Sequence, residues 1–105
     1  MNALAELLRA LVATPSPSGE EGALGDAVAA RLQSVGFTTG RAGAGVVAEA
    51  GPEGAPVLML CSHLDTVPAG EHWSADPWQV AWREDRLTGL GANDAKASVA
   101  AMMRA

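Results

Sequence analysis

Apolar positions in the first segment recur at helical spacing. Leu4, Leu7, Leu8, Leu11 and Val12 fall at i, i+3, i+4, i+7 and i+8, which is one face of a helix. Asn2 is placed to cap its start, and Thr14-Pro15-Ser16-Pro17 to end it, because residues before proline avoid the helical region. A second helix is predicted from Ser18, where Ser18-x-x-Glu21 has the capping-box pattern. Leu24, Ala27, Val28, Leu32 and Val35 form its buried stripe, Glu20 and Glu21 its acidic first turn, and Gly36 a left-handed C-terminal cap. Short strands are predicted at Phe37 to Thr39 and Val46 to Ala50, with Gly40, Gly43 and Gly45 between them and a turn at Gly51-Pro52-Glu53-Gly54. Val57-Leu58-Met59-Leu60-Cys61 is an unbroken apolar run of strand length, the pattern of a central strand covered on both faces. Gln79 to Trp82 and Leu87 to Leu90 predict a hairpin around Glu84-Asp85. After the loop Gly89 to Asp94, the pattern is helical again, with Val99, Met102 and Met103 on one face and Ala100 beside them.

This order of elements predicts an α/β fold in which helices pack on a mixed, largely parallel sheet. No glycine, proline or polar cap precedes Ala105, so the last helix is expected to continue beyond it, leaving Val99 and Met102 short of partners. With 105 residues, the chain has room for one small domain. Hydrophobic residues make up 49% and charged residues 18%, a globular composition.

The net charge is −5 and the basic residues Arg9, Arg31, Arg41, Arg83, Arg86, Lys96 and Arg104 are scattered, which argues against a nucleic-acid surface. Cys61 is alone, so neither an internal disulfide nor a cysteine zinc cluster can form; this fits a reducing compartment. Glu6 and Arg9 interrupt the first apolar stretch and no long apolar run follows, so neither a signal peptide nor a membrane span is expected.

The chemistry-bearing residues cluster after the apolar run. His63 and Asp65 follow its C-terminal end, the sheet edge at which open α/β folds bind ligands. Residues two apart on an extended chain point to one side, so His63 and Asp65 can face a site together while Leu64 faces the core. A metal-bound imidazole usually donates its other N–H to a carboxylate or carbonyl, a role open to Asp65 if the backbone bends suitably. Asp94 lies in a glycine-punctuated loop before a helix, and one carboxylate can bridge two ions about 3.5–4 Å apart. Each feature alone also has an ordinary explanation: a loop histidine with a loop aspartate, and Asn93 or Asp94 capping the last helix.

Taken in series, "HLDTVPAG", "HWSADPW" and "GLGANDAKAS", with "ATPSPSGEEGAL" near the N-terminus, resemble the zinc amidohydrolase family of acetylornithine deacetylases, succinyl-diaminopimelate desuccinylases, aminoacylases and glutamate carboxypeptidases. The resemblance covers essentially the whole chain. It implies that residues 1–105 are the N-terminal portion of a two-zinc catalytic domain. The lid or dimerisation domain would be missing, and a homodimeric parent is left open. By resemblance, His63 ligates one zinc, Asp94 bridges both, and Asp65 supports His63. The cofactors would be two divalent ions, zinc first and cobalt as the alternative. The implied activity is hydrolysis of the amide of an N-acyl amino acid or small peptide in the cytoplasm, with acetylornithine deacetylase, in arginine biosynthesis, as the leading reading. Aminoacylase, desuccinylase and di- or carboxypeptidase remain alternatives, as does a non-catalytic remnant.

The family's general base belongs to a later Glu-Glu pair, and further ligands also come later. These 105 residues are therefore expected to have little hydrolase activity alone. The family often has a cis peptide after the bridging aspartate, here Asp94–Ala95. Its usual Asp-Met-Lys-Gly reads Asp94-Ala95-Lys96-Ala97 here, so Ala97 replaces a glycine, which matters if the backbone needs a positive φ.

Other features point to packing. Gly43-Ala44-Gly45-Val46-Val47-Ala48 formally matches a dinucleotide fingerprint but is followed by a strand-like run where a helix is required. Cys61 is expected to be a small buried residue of the strand. His72 reads as a loop residue, Trp73, Trp78 and Trp82 as core aromatics, and Lys96 as solvated.

Overall fold

The computed structural model describes residues 2–105. Helix α1 spans Ala3–Ala13, and the Asn2 side chain accepts the Ala5 N–H at 2.9 Å, the expected cap. Helix α2 spans Gly22–Ser34. Gly36, at φ 99°, closes it: the Gly36 N–H reaches the Gln33 carbonyl and the Phe37 N–H the Leu32 carbonyl, a Schellman arrangement. The entry to α2 departs from expectation. Glu21 is the N-cap residue and makes no side-chain cap, so Glu20 and Glu21 precede the helix and no capping box forms. The Glu21 carboxylate accepts the Gly19 N–H instead, and Ser18 is engaged elsewhere.

Strands β1 (Thr38–Ala42) and β2 (Gly45–Glu49) form an antiparallel hairpin, and β3 (Ala81–Arg83) and β4 (Arg86–Thr88) form a second around Glu84-Asp85. No helix follows β2 directly, so the glycine-rich stretch lacks the element a dinucleotide site requires. Helix α3 spans Ala97–Arg104. Ala97 has φ −63°, an ordinary helical value, so the missing glycine carries no conformational penalty there.

The alternation of helix and strand is α/β, but the expected mixed, largely parallel sheet is not present among the described residues. Both sheets are two-stranded and antiparallel, and the parallel pairing is confined to a bridge between Pro17 and Thr66. The run Val57 to Cys61 is not a strand. A strand exists through its partner's hydrogen bonds, and none of the described residues pairs with this run. Val57, Leu58 and Met59 are 89%, 84% and 78% exposed, and Cys61 is also exposed rather than buried.

The core lies where the three helices meet. Leu7 and Leu11 of α1, Leu24 and Val28 of α2, and Val99 and Ala100 of α3 are buried together, with Val46, Leu64 and Met103 packed against them. Val99 is thus supplied with partners, contrary to expectation, and Met102 is half-buried. Ala27 and Val35 of the predicted α2 stripe are exposed. Trp73 and Trp82 are exposed rather than core residues, while Trp78 is half-buried beside Lys96. None of the described helices is long and apolar enough to cross a membrane.

Candidate functional site

Two loops are pinned to the end of α1 and meet above the core. The first carries His63 to Val67. Leu64 packs against the core cluster, which fixes the loop's lower face and leaves His63 and Asp65 on the other, as their spacing predicts. The Thr66 N–H donates to the Ser16 carbonyl at 2.9 Å, and the Ser18 N–H to the Thr66 carbonyl at 3.0 Å, tying this loop to the segment after α1.

The second loop runs from Gly89 through a wide turn, Ala92–Lys96, into α3. Gly91 has φ 76° and lies so close to the Thr66 methyl that a Cβ there would collide with it. Glycine is required at this contact, which brings the Asp94 turn against the His63 loop. Asp94 and Ala95 have non-helical backbone, and the peptide between them is cis, as the resemblance implies. Neither Asn93 nor Asp94 makes a side-chain cap for the helix.

Lys96 closes the turn from below. It is 1% exposed rather than solvated. Its Nζ donates to the Thr14 carbonyl at 3.0 Å, at the C-terminal end of α1, and lies 5.9 Å from the Trp78 ring. A cation at a helix C-terminus meets the negative end of the helix dipole. Nothing in the sequence pattern signalled this role, because a lysine three residues before a helical stripe reads as a surface residue.

These contacts bring His63, Asp65 and Asp94 together. The His63 Nδ1–H donates to both the Asp65 carbonyl and Asp65 Oδ1 at 3.1 Å. Nε2 faces Asp94 Oδ1 at 3.0 Å, within the ~4 Å that two bonds of about 2 Å to one ion can span. Asp65 Oδ2 accepts the Ser18 hydroxyl. His72 is an exposed loop residue.

The electrostatics follow from these partners. The Asp65 carbonyl, and then the Asp94 and Asp65 carboxylates, favour the imidazolium and raise the His63 pKa above 6.5. The Ser18 hydroxyl, followed by the Asp65 backbone N–H and the His63 charge, lowers the Asp65 pKa. In metal-free protein, a histidine with a raised folded-state pKa adds stability that is complete below its unfolded value of about 6.5 and lost as pH rises through the folded value. An NMR titration is therefore expected to show His63 with a midpoint above 6.5, moving down towards 6.5 in Asp94→Asn.

The donor set fits part of a metal site. Zinc bonds to imidazole nitrogen and carboxylate oxygen are about 2.0–2.2 Å, so atoms 3.0 Å apart can share one ion. With Nδ1 held by Asp65, the Nε2 lone pair is directed at that position. The Asp94 side chain is open to solvent, which leaves its second oxygen accessible to another ion. No group of three or more His, Cys, Asp or Glu side chains that could enclose a metal occurs among the described residues.

The model of Peptidase family M20/M25/M40 matches residues 59–105, the segment that carries both loops. A succinyl-diaminopimelate desuccinylase of Xylella fastidiosa is 41% identical over 108 residues, covering 98% of this chain and 29% of its own length. A succinyl-diaminopimelate desuccinylase of Novosphingobium aromaticivorans is 37% identical over 94% of this chain and 29% of its own length. An N-acetyl-L-citrulline deacetylase of Xanthomonas campestris is 37% identical over 87% of this chain and 25% of its own length. The chain thus spans between a quarter and a third of the length of the curated relatives it matches. On the matched segment and these relatives together, the chain belongs to Peptidase family M20/M25/M40.

Proposed function

We propose that this chain supplies part of a metal-dependent amidohydrolase site that cleaves the amide of an N-acylated amino acid. The observation that carries the reading is the placement of His63 Nε2 3.0 Å from Asp94 Oδ1, with Nδ1 held by Asp65. In this reading His63 and Asp94 would hold the divalent ions, with Asp94 open to a second one, and Asp65 would fix the imidazole tautomer. A divalent ion, when bound, supplies Lewis acidity towards the scissile carbonyl and towards water. Zinc suits a donor set of one imidazole and one carboxylate, and cobalt accepts the same donors.

The protein's own contribution is orientation. Asp65 keeps the proton on Nδ1 and so keeps Nε2 available as a donor atom. The partial exposure of His63 and the openness of Asp94 leave the position accessible to a small-molecule substrate. Asp65 is engaged by Ser18 and His63, and Asp94 faces His63, so the general-base role is assigned to neither.

For the acyl group, the desuccinylase and acetylcitrulline deacetylase relatives support succinyl- and acetyl-amino acids. Succinyl-diaminopimelate is placed ahead of acetylornithine. The test is amine release from N-succinyl-diaminopimelate, N-acetylcitrulline and N-acetylornithine, with zinc or cobalt supplied. The enzyme would be a polypeptide that carries this chain at the full length of the relatives. Turnover that is lost in His63→Ala and Asp94→Ala supports the reading. Turnover that survives both substitutions would overturn it.

A further inference from the structure

Ser18 reads in the sequence as the first residue of a capping box, yet α2 begins four residues later without its help. Its hydroxyl instead reaches across 47 positions of sequence to Asp65 Oδ2. We propose that Ser18 is a positioning residue of this site, acting through the Asp65 carboxylate on the tautomer and orientation of His63. The consequence for metal binding rests on the reading of His63 as a ligand.

The backbone delivers Ser18 to this position. Segment 16–18 lies parallel to segment 64–66, joined by the Ser16–Thr66 and Ser18–Thr66 backbone hydrogen bonds. Ser16, fully buried, donates its own hydroxyl to the Leu64 carbonyl at 2.7 Å and anchors the pair beneath. Ser18 has one hydroxyl hydrogen and two acceptors in reach, Asp65 Oδ2 and, at 3.3 Å, the Thr66 carbonyl. The carboxylate is the nearer and the charged partner, so it takes the proton.

This division of the carboxylate matters. A terminal carboxylate torsion is broad, with no single preferred setting. With Oδ2 held by Ser18, the plane is fixed and Oδ1 stays directed at His63 Nδ1. Without the hydroxyl, Oδ1 can turn away, leaving Nδ1–H with the Asp65 backbone carbonyl alone. A backbone contact then holds what a charged contact had reinforced, and the alternative Nε2–H tautomer gains population.

The test uses the full chain with Ser18→Ala, Ser18→Thr, Ser18→Cys, Asp65→Ala and the Ser18→Ala/Asp65→Ala double variant. Two quantities are read on the folded fraction, which is set by melting curves. They are the ¹⁵N shifts of neutral His63, which report its tautomer, and the dissociation constant for zinc. Ser18→Ala is expected to mix the tautomers and to weaken zinc about tenfold, the lower end of the loss from an outer-shell partner. Ser18→Thr should restore both, and Ser18→Cys, a weaker donor, should fall between. In the Asp65→Ala background, removing the hydroxyl should change neither quantity. A tautomer change without zinc binding in the unsubstituted chain would uphold the role of Ser18 and overturn the metal reading. The proposal is overturned if Ser18→Ala leaves the tautomer unchanged, or if its effect is the same with and without the Asp65 carboxylate.

Discussion

His63→Ala is expected to reduce zinc affinity by more than about 100-fold, beyond the roughly 10- to 100-fold typical of losing an outer-shell partner. The imidazole is the nitrogen donor that the two loops aim at Asp94, and Nε2 to Oδ1 is 3.0 Å. Without it, a single carboxylate remains at the position, and one carboxylate leaves an ion largely hydrated. Asp94→Ala should be equally severe, because the charge that favours a divalent ion is lost with the oxygen. Asp65→Ala should fall lower, at about 10- to 100-fold, since the ligand remains but its tautomer is no longer enforced. Calorimetric titration of the variants gives the ranking directly. Equal affinities for His63→Ala and the unsubstituted chain would remove the basis for the site.

Lys96 carries the second large effect, on stability and its pH dependence. Burial pushes its pKa down from 10.5 to about 8. The unfolded chain keeps the ordinary value. Between these values the unfolded state therefore holds a proton that the folded state lacks, and stability rises with pH across the window. Below pH 8 both states are protonated and the penalty is complete; above 10.5 both are neutral and it is gone. The displacement corresponds to about 3 kcal/mol, at about 1.36 kcal/mol per pH unit.

Lys96 is the sole lysine and the chain has no tyrosine, so few other groups titrate in this window. Urea unfolding at several pH values from 7.5 to 10.5 should show the rise in the unsubstituted chain and a nearly flat profile in Lys96→Met. Methionine keeps the volume and removes the charge, although the Thr14 carbonyl loses its donor, at about 1–3 kcal/mol. An undiminished rise in Lys96→Met would show that Lys96 is not the source.

Local signals in the sequence translated well into local structure. Leu7, Leu11 and Val12 of the first stripe, the Asn2 cap and the Gly36 stop were all legible, because each depends on residues within a turn or two of one another, whereas Leu4 is 42% exposed. The approximate positions of the four short strands, and the pairing of the last two around Glu84-Asp85, were legible for the same reason. The capping-box pattern at Ser18 does not foretell its role, because two partners compete for its hydroxyl, and the one that prevails, Asp65, lies far along the chain. The run Val57 to Cys61 has the composition of a buried strand, but strand formation depends on a neighbour that periodicity cannot supply. The burial of Lys96 is not legible in the sequence because its partner, the Thr14 carbonyl, is a backbone atom 82 residues away and leaves no compositional trace.

The candidate site was legible in its membership but not in its assembly. The two-residue spacing of His63 and Asp65 set both on one side of Leu64, and the loop bends enough for Asp65 to reach Nδ1. The approach of Asp94 could be anticipated only through the family resemblance. Its physical cause is the contact of Gly91 with Thr66 and the Lys96 anchor, neither of which a motif announces.

In the proposed site, His63 offers Nε2, with Nδ1 still protonated, to an ion shared with Asp94. The most direct measurement is ¹⁵N NMR of the two histidines during addition of zinc. A coordination shift at His63 Nε2 with retention of the proton on Nδ1 is expected, and the shift should be absent in Asp94→Ala at the same zinc concentration. A coordination shift confined to His72, or one at His63 Nδ1, would contradict the proposed site.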